Sequence, residues 1–111
     1  MQPNTAVHAA TASLTHEPVP ADQSVSGDPS TATHDLGQIG SSEFGIWEMS
    51  VGVMTDVEAD ELFVVLSGSA TIEFADGSPT LTIGAGDVVR LAAGSATTWT
   101  VTETLRKVFV I

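Results

Sequence analysis

Cysteine and tyrosine are both absent from these 111 residues. Without a thiol the chain has no disulfide, no thiolate nucleophile, no iron–sulfur cluster and no cysteine-rich zinc site. Cations are almost as scarce: Arg90, Arg106 and Lys107 stand against fourteen acidic residues, for a formal charge of −11. Nucleic-acid binding takes several lysines or arginines to displace counterions from phosphates, so no nucleic-acid partner is expected. An anionic membrane surface is repelled for the same reason. No basic segment followed by an apolar one opens the chain, so no signal peptide is expected. No apolar run approaches the ~20 residues of a membrane-spanning helix. These absences make a cytoplasmic protein the expectation, with the acidic charge serving solubility.

Aromatic residues are missing from one part of the chain. Residues 1–43 hold no Phe or Trp, and residues 44–111 hold both tryptophans and all four phenylalanines. One domain fits this length, and its core must come mainly from the C-terminal two thirds. A core that small is marginal alone, so a homodimer is expected. Residues 1–24 are rich in Ala, Thr, Ser and Pro, with only Val7, Leu14 and Val19 as larger apolar groups. That composition predicts a flexible leader ahead of a domain over 25–111. His8 and His16 are read as free histidines on that tail.

Short strands punctuated by turns follow. Val25–Ser30 reads as a turn, Thr31–Ile39 as an edge strand and Phe44–Val53 as one strand of mixed facing. Glu61–Leu66 is a strong strand. Gly68 is read as a break before Ala70–Phe74, whose Ala-Thr-Ile-Glu-Phe alternates with period two. Asp76-Gly77 is the best hairpin signal, since a type I′ turn needs positive φ at both central positions. Leu81–Ile83, Val88–Leu91, Thr97–Thr102 and Leu105–Ile111 complete the set. No window carries a helical stripe, and strands at this spacing argue for an all-β sandwich or barrel.

Two segments carry a resemblance. Glu61-Leu-Phe-Val-Val-Leu-Ser-Gly68, a glutamate and a glycine separated by six residues, is similar to the end of the first cupin motif. Gly86-Asp-Val-Val-Arg-Leu-Ala-Ala-Gly94 resembles the second. Gly45-Ile-Trp47-Glu48, Thr98-Trp99-Thr-Val and Leu105-Arg106-Lys107-Val-Phe resemble the branch that includes ethanolamine-utilisation protein Q and ureidoglycine aminohydrolase. The resemblance covers about residues 25–111. It implies a single small cupin jelly-roll barrel whose interior holds a small molecule or a metal, with Glu61 pointing inward.

The chain departs from the metal-binding pattern of that family. The positions of the first motif's two histidines are Thr55 and Val57, or Met54 and Asp56, depending on the gap before Glu61. The second motif's histidine position is Thr97. A two-histidine-one-carboxylate iron site is therefore not expected, and no metal or other cofactor is. Sugar epimerisation by a histidine base and a tyrosine acid fails too.

The pocket candidates are Glu48, Glu61, Phe63, Thr97, Trp99 and Lys107. The motif places Glu61 inward on the face of Phe63. Glu48 comes from the Trp-Glu pair, and Trp99 shares a face with Thr97. Lys107 lies in an apolar strand, where its head either snorkels out or pairs with a carboxylate such as Glu61. For any one of these residues an inherited internal ion pair or plain core packing is the preferred reading, and Trp47 is read as core. The acidic run Asp56, Glu58, Asp60, Glu61 matches no calcium-loop pattern and is read as a solvated turn.

Three functions fit these features. The favoured one is a metal-free module that binds a small molecule, or only dimerises. The second is a small-metabolite enzyme using Glu61, Glu48 and Lys107. The third is a regulatory or assembly partner of another protein.

Overall fold

Alternation along two long strands generates the molecule's inside and outside. The computed structural model describes residues 1–111, and all its regular structure is strand: β1 (Glu17–Pro18), β2 (Ser24–Ser26), β3 (Ser30–Ile39), β4 (Ser42–Met49), β5 (Gly52–Val57), β6 (Glu61–Phe74), β7 (Leu81–Gly84), β8 (Val88–Leu91) and β9 (Ala96–Val110). Every pairing is antiparallel. One run of the sheet is ordered β1-β3-β4-β9-β5-β2, and β6 pairs β9, β8 and β7. No helix is long and apolar enough to cross a membrane. Phe63, Val65, Ala70 and Ile72 of β6 meet Trp99, Val101, Leu105 and Phe109 of β9 in a buried cluster. Successive strand residues face opposite ways, so Leu62 and Val110 lie outside and remain exposed. The all-β cupin architecture is as expected.

The element boundaries differ where glycine acts. Gly68 does not end a strand. It sits at φ +91° within β6, and the β6–β9 register shifts on either side of it. This irregularity lets one strand bend while staying paired to β9. β9 is likewise one strand through Glu103-Thr104, where two strands were expected. Phe44–Val53, expected as one, divides into β4 and β5 at Ser50-Val51. Gly52 adopts φ +149°, and a Cβ there would lie 2.9 Å from Pro29 Cβ and from the Ser26 carbonyl. The Asp76-Gly77 turn is not type I′, because only Gly77 has positive φ. Instead the Gly77 amide bonds the Phe74 carbonyl at 3.2 Å. Asp76 Oδ1 accepts from the Ser78 amide at 2.8 Å, and the strands rejoin only at Ile72–Leu81.

The boundary expected at residue 25 moves upstream. β1 pairs Glu17 with Thr31, the Val19 amide bonds the Pro29 carbonyl at 3.0 Å, and the Val19 side chain joins the core cluster. Average composition hid this, because it does not register a single valine that packs into the core. His16 is not free: its ring nitrogens lie 2.8 Å from Ser30 Oγ and 3.2 Å from Glu48 Oε2. Further upstream, Arg106 Nη1 donates to the carbonyls of Ala9 at 2.9 Å and Ala12 at 2.7 Å. These contacts lay residues 9–16 across the outer face of β4 and β9, the face that carries the fully buried Ile46. Removing residues 1–16 is expected to cost about 1–3 kcal/mol, the scale of a hydrogen bond to a charged group. Urea denaturation of the full and shortened chains checks this, and equal midpoints would show that the segment contributes nothing.

Candidate functional site

Lys107 is inward because its strand neighbours are. Leu105, Lys107 and Phe109 alternate onto the buried face of β9, and Lys107 is only 5% exposed. It lies between its register partners Trp47 on β4 and Val65 on β6. Its ammonium is 2.9 Å from Glu61 Oε1. It also stands 4.1 Å from the ring centre of Phe63, 4.6 Å from Trp47 and 5.1 Å from Trp99. Each desolvated cation–π contact of this kind is worth on the order of 1–2 kcal/mol. Burial pulls the Lys107 pKa below its usual range, and Glu61, then Glu58 and Asp56, oppose that pull.

Glu58 is the second buried charge. It lies in the turn between β5 and β6, where its amide bonds the Ser95 carbonyl at 2.9 Å and its carbonyl accepts from the Gly94 amide at 2.8 Å. Its Oε2 accepts from Thr97 Oγ1 at 2.9 Å and Trp99 Nε1 at 3.0 Å. The side chains around it leave the residue 8% exposed. Burial raises its pKa above the ordinary carboxylate value, partly offset by the bonds from Trp99 and Thr97. A raised folded-state pKa means the native state holds this proton more tightly than the unfolded chain. The stabilisation is therefore full below about pH 4.5 and fades as pH rises through the folded value. Glu58→Gln is expected to flatten that part of the stability-versus-pH curve above about pH 4.5. Parallel slopes for the two proteins in thermal melts would contradict it.

These groups border one cleft of about 410 Å³. Trp47, Trp99 and Phe109 wall it, and Asp56, Glu58, Glu61 and Lys107 supply charge. The candidates named from sequence fall into three groups. Glu61, Trp99 and Lys107 meet there. Phe63 lies beneath the Lys107 ammonium, and Thr97 acts through Glu58; neither lines the cleft. Glu48 is elsewhere: on β4 it pairs with Arg106, and its Oε2 accepts from Arg106 Nη2 at 3.1 Å. Adjacent strand residues point oppositely, so Trp47 turning inward sends Glu48 outward. The proposed Glu48–Glu61–Lys107 cluster therefore does not form.

The acidic run is not one solvated turn either. Only Asp60 behaves so, exposed and 3.3 Å from Arg90. The Ala93 amide, then Arg90, hold its pKa below the usual value. Glu58 escaped sequence reasoning because no periodicity marks it. The available signal was indirect: a buried indole N–H and a buried threonine hydroxyl both need an acceptor.

The positions that hold metal in related barrels do not suit one here. Met54 pairs with Trp99 and Asp56 with Thr97, so these two share the inward face with Glu61. A thioether, a hydroxyl and two carboxylates remain, and the Lys107 ammonium already occupies Glu61. No group of three or more His, Cys, Asp or Glu is arranged to hold a metal ion. No fully buried side-chain nitrogen or oxygen lacks a partner.

Comparison with known families agrees with the fold. The family model described as EutQ-like cupin domain matches residues 36–109. The chain belongs to the EutQ-like cupin family. Solved structures similar to this cupin include ethanolamine utilization protein Q from Salmonella typhimurium LT2, at 23% identity and TM-score 0.63, covering 72% of this chain and 67% of that one. The EutQ protein of Clostridium difficile is 20% identical at TM-score 0.65, covering 85% of this chain and 78% of that one. A DUF861 family protein of unknown function from Pseudomonas syringae pv. tomato is 24% identical at TM-score 0.71, covering 91% of this chain but 45% of that one. At these identities the likeness concerns the fold. No curated protein matches this cupin.

Proposed function

We propose that this cupin is a metal-free module that binds a small polar molecule in the cleft above Lys107 and pairs with a second copy through its outer sheet face. The cleft carries the reading. Aromatic walls with a few convergent polar groups, in about 410 Å³, are the usual make-up of a small-molecule site. Its charge also favours a class of ligand. Asp56 and Glu61 outnumber the single Lys107 even when Glu58 holds a proton, so neutral or cationic molecules with hydrogen-bond donors suit it better than anions.

Both tryptophans border the cleft, so intrinsic fluorescence reports its contents. Denatured extracts of the purified protein are expected to release a small molecule. Its return to the stripped protein should shift the emission saturably, with a weakened response in Trp47→Ala. An empty extract, together with no saturable response to a panel of polar metabolites, would remove the binding reading.

The outer face supports pairing. Leu62 is 43% exposed, Val88 64% and Val110 39%. Leu62 neighbours Val110, and Val64 neighbours both Val88 and Val108. This apolar patch holds no carboxylate in a chain of charge −11, so two copies can meet there without direct repulsion. Sedimentation should give a dimer, and Leu62→Glu a monomer. A wild-type monomer at high concentration would end this part of the proposal.

A further inference from the structure

Lys107 is the only lysine in the chain. Lysines are almost always left on the surface, yet this one lies against an aromatic box at a cleft wall. A charge needed only for solubility would not be kept there. We infer that Lys107 is a carbonyl-reactive amine that condenses with a small aldehyde or ketone admitted by the cleft, forming an imine. The inference rests on the reading of that cleft as a small-molecule site.

The surrounding groups match the proton movements of the reaction. Glu61 Oε1, 2.9 Å from the ammonium nitrogen, takes a proton and frees the nitrogen lone pair. That pair attacks the carbonyl carbon. As the C–N bond forms, the C=O π electrons move to oxygen, which takes up a proton. Glu58 borders the same cleft. Its Oε2 is committed to Thr97 and Trp99, which leaves Oε1 as the place for a proton to give. The attached nitrogen gives one of its two protons to the Glu58 carboxylate and regains its lone pair, and the carbinolamine then loses its hydroxyl as water after a second protonation. The nitrogen lone pair closes the C=N bond, and the remaining N–H proton returns to a carboxylate. Amine and carbonyl become imine and water, with no oxidant or reductant consumed. The rings of Trp47, Phe63 and Trp99 keep bulk water from the nitrogen, which slows hydrolysis of the imine. Desolvation of a lysine in an apolar pocket is the recognised way to make its amine a nucleophile, and burial acts in that direction on Lys107.

A purely structural ion pair shares the same contacts, and chemistry separates the two roles. The full chain has only two amines, the amino terminus and Lys107, so labelling is unambiguous. Treatment with propionaldehyde and sodium cyanoborohydride, followed by peptide mapping, is expected to add one propyl group to Lys107. It should form severalfold faster than on Nα-acetyl-lysine at the same neutral pH. Propionamide has the same size but cannot condense, and the two indole N–H resonances report its entry. Saturable shifts with propionamide but a Lys107 slower than the free amine would overturn the inference and leave the binding reading standing. An inert Lys107 with no propionamide response would remove both.

Discussion

Lys107→Met is expected to destabilise the fold by about 3–5 kcal/mol, the cost of breaking a buried pair by removing one partner. The variant keeps the length and apolar stem of the side chain, so little is lost to cavity formation. What changes is that Glu61, nearly buried at 11% side-chain exposure, loses the cation 2.9 Å from its carboxylate. The three ring faces turned on the ammonium lose their attraction as well. Small domains hold about 5–15 kcal/mol in all, so this one substitution consumes a large share. The double variant Glu61→Gln with Lys107→Met removes both charges and should recover most of the loss, because well-packed uncharged replacements of buried pairs are often neutral. Urea denaturation of wild type, single and double variants measures the coupling. A single-variant loss under about 1 kcal/mol is what an exposed pair gives, and it would show that Lys107 does not occupy the aromatic box.

Gly68→Ala is expected to cost a similar amount, about 2–6 kcal/mol, from backbone strain and overpacking together. The residue sits at φ +91°, where a side chain is strained whatever the space. There is also no space: a Cβ would overlap the Thr104 carbonyl oxygen and lie 2.7 Å from Leu105 Cα. That backbone belongs to β9, two residues before Lys107, so the damage spreads to the cleft. Gly77 provides the control, since it also has positive φ but open space around its Cα. Gly77→Ala should cost only the strain, on the order of 1 kcal/mol. Equal losses at both glycines would mean that packing against β9 contributes nothing at Gly68.

The contrast between those glycines explains what the sequence could convey. Period-two alternation puts Phe63 and Val65 on one face and Leu62 on the other, because sharing a face depends only on parity, and the cupin resemblance of Glu61 makes the first face the inward one. Gly68 was legible as a glycine with a role, but not as a bulge. Bulge and break differ only in whether β9 continues alongside, which is a long-range fact. Trp47 and Lys107 show the same limit. Each was assigned to a strand, but only the register pairing them across β4 and β9 turns both into one cleft, and that register sends Glu48 to the opposite face. Val19 and Glu58 were missed for a related reason. Neither belongs to a periodic run, and each gains its role from partners far along the chain: Pro29 for Val19, Thr97 and Trp99 for Glu58.

The metal question turns on the same geometry. At the positions that the cupin resemblance assigns to histidines this chain presents Met54, Asp56 and Thr97, and the Lys107 ammonium lies 2.9 Å from Glu61 Oε1. Lys107 compensates the Glu61 charge, which is why the two residues are expected to vary as a unit in any engineered version of this barrel.

A single lysine in the chain makes the central claim directly measurable. Protein labelled with ¹³C,¹⁵N-lysine gives side-chain signals from Lys107 alone. If the ammonium lies among Phe63, Trp47 and Trp99, its Hε signals will be displaced upfield by ring currents. Its Nζ protons will exchange slowly enough to be seen at neutral pH, and Glu61→Gln will move both. Hε shifts at free-lysine values, with Nζ protons lost to water exchange, would place Lys107 in solvent and contradict the account of this site.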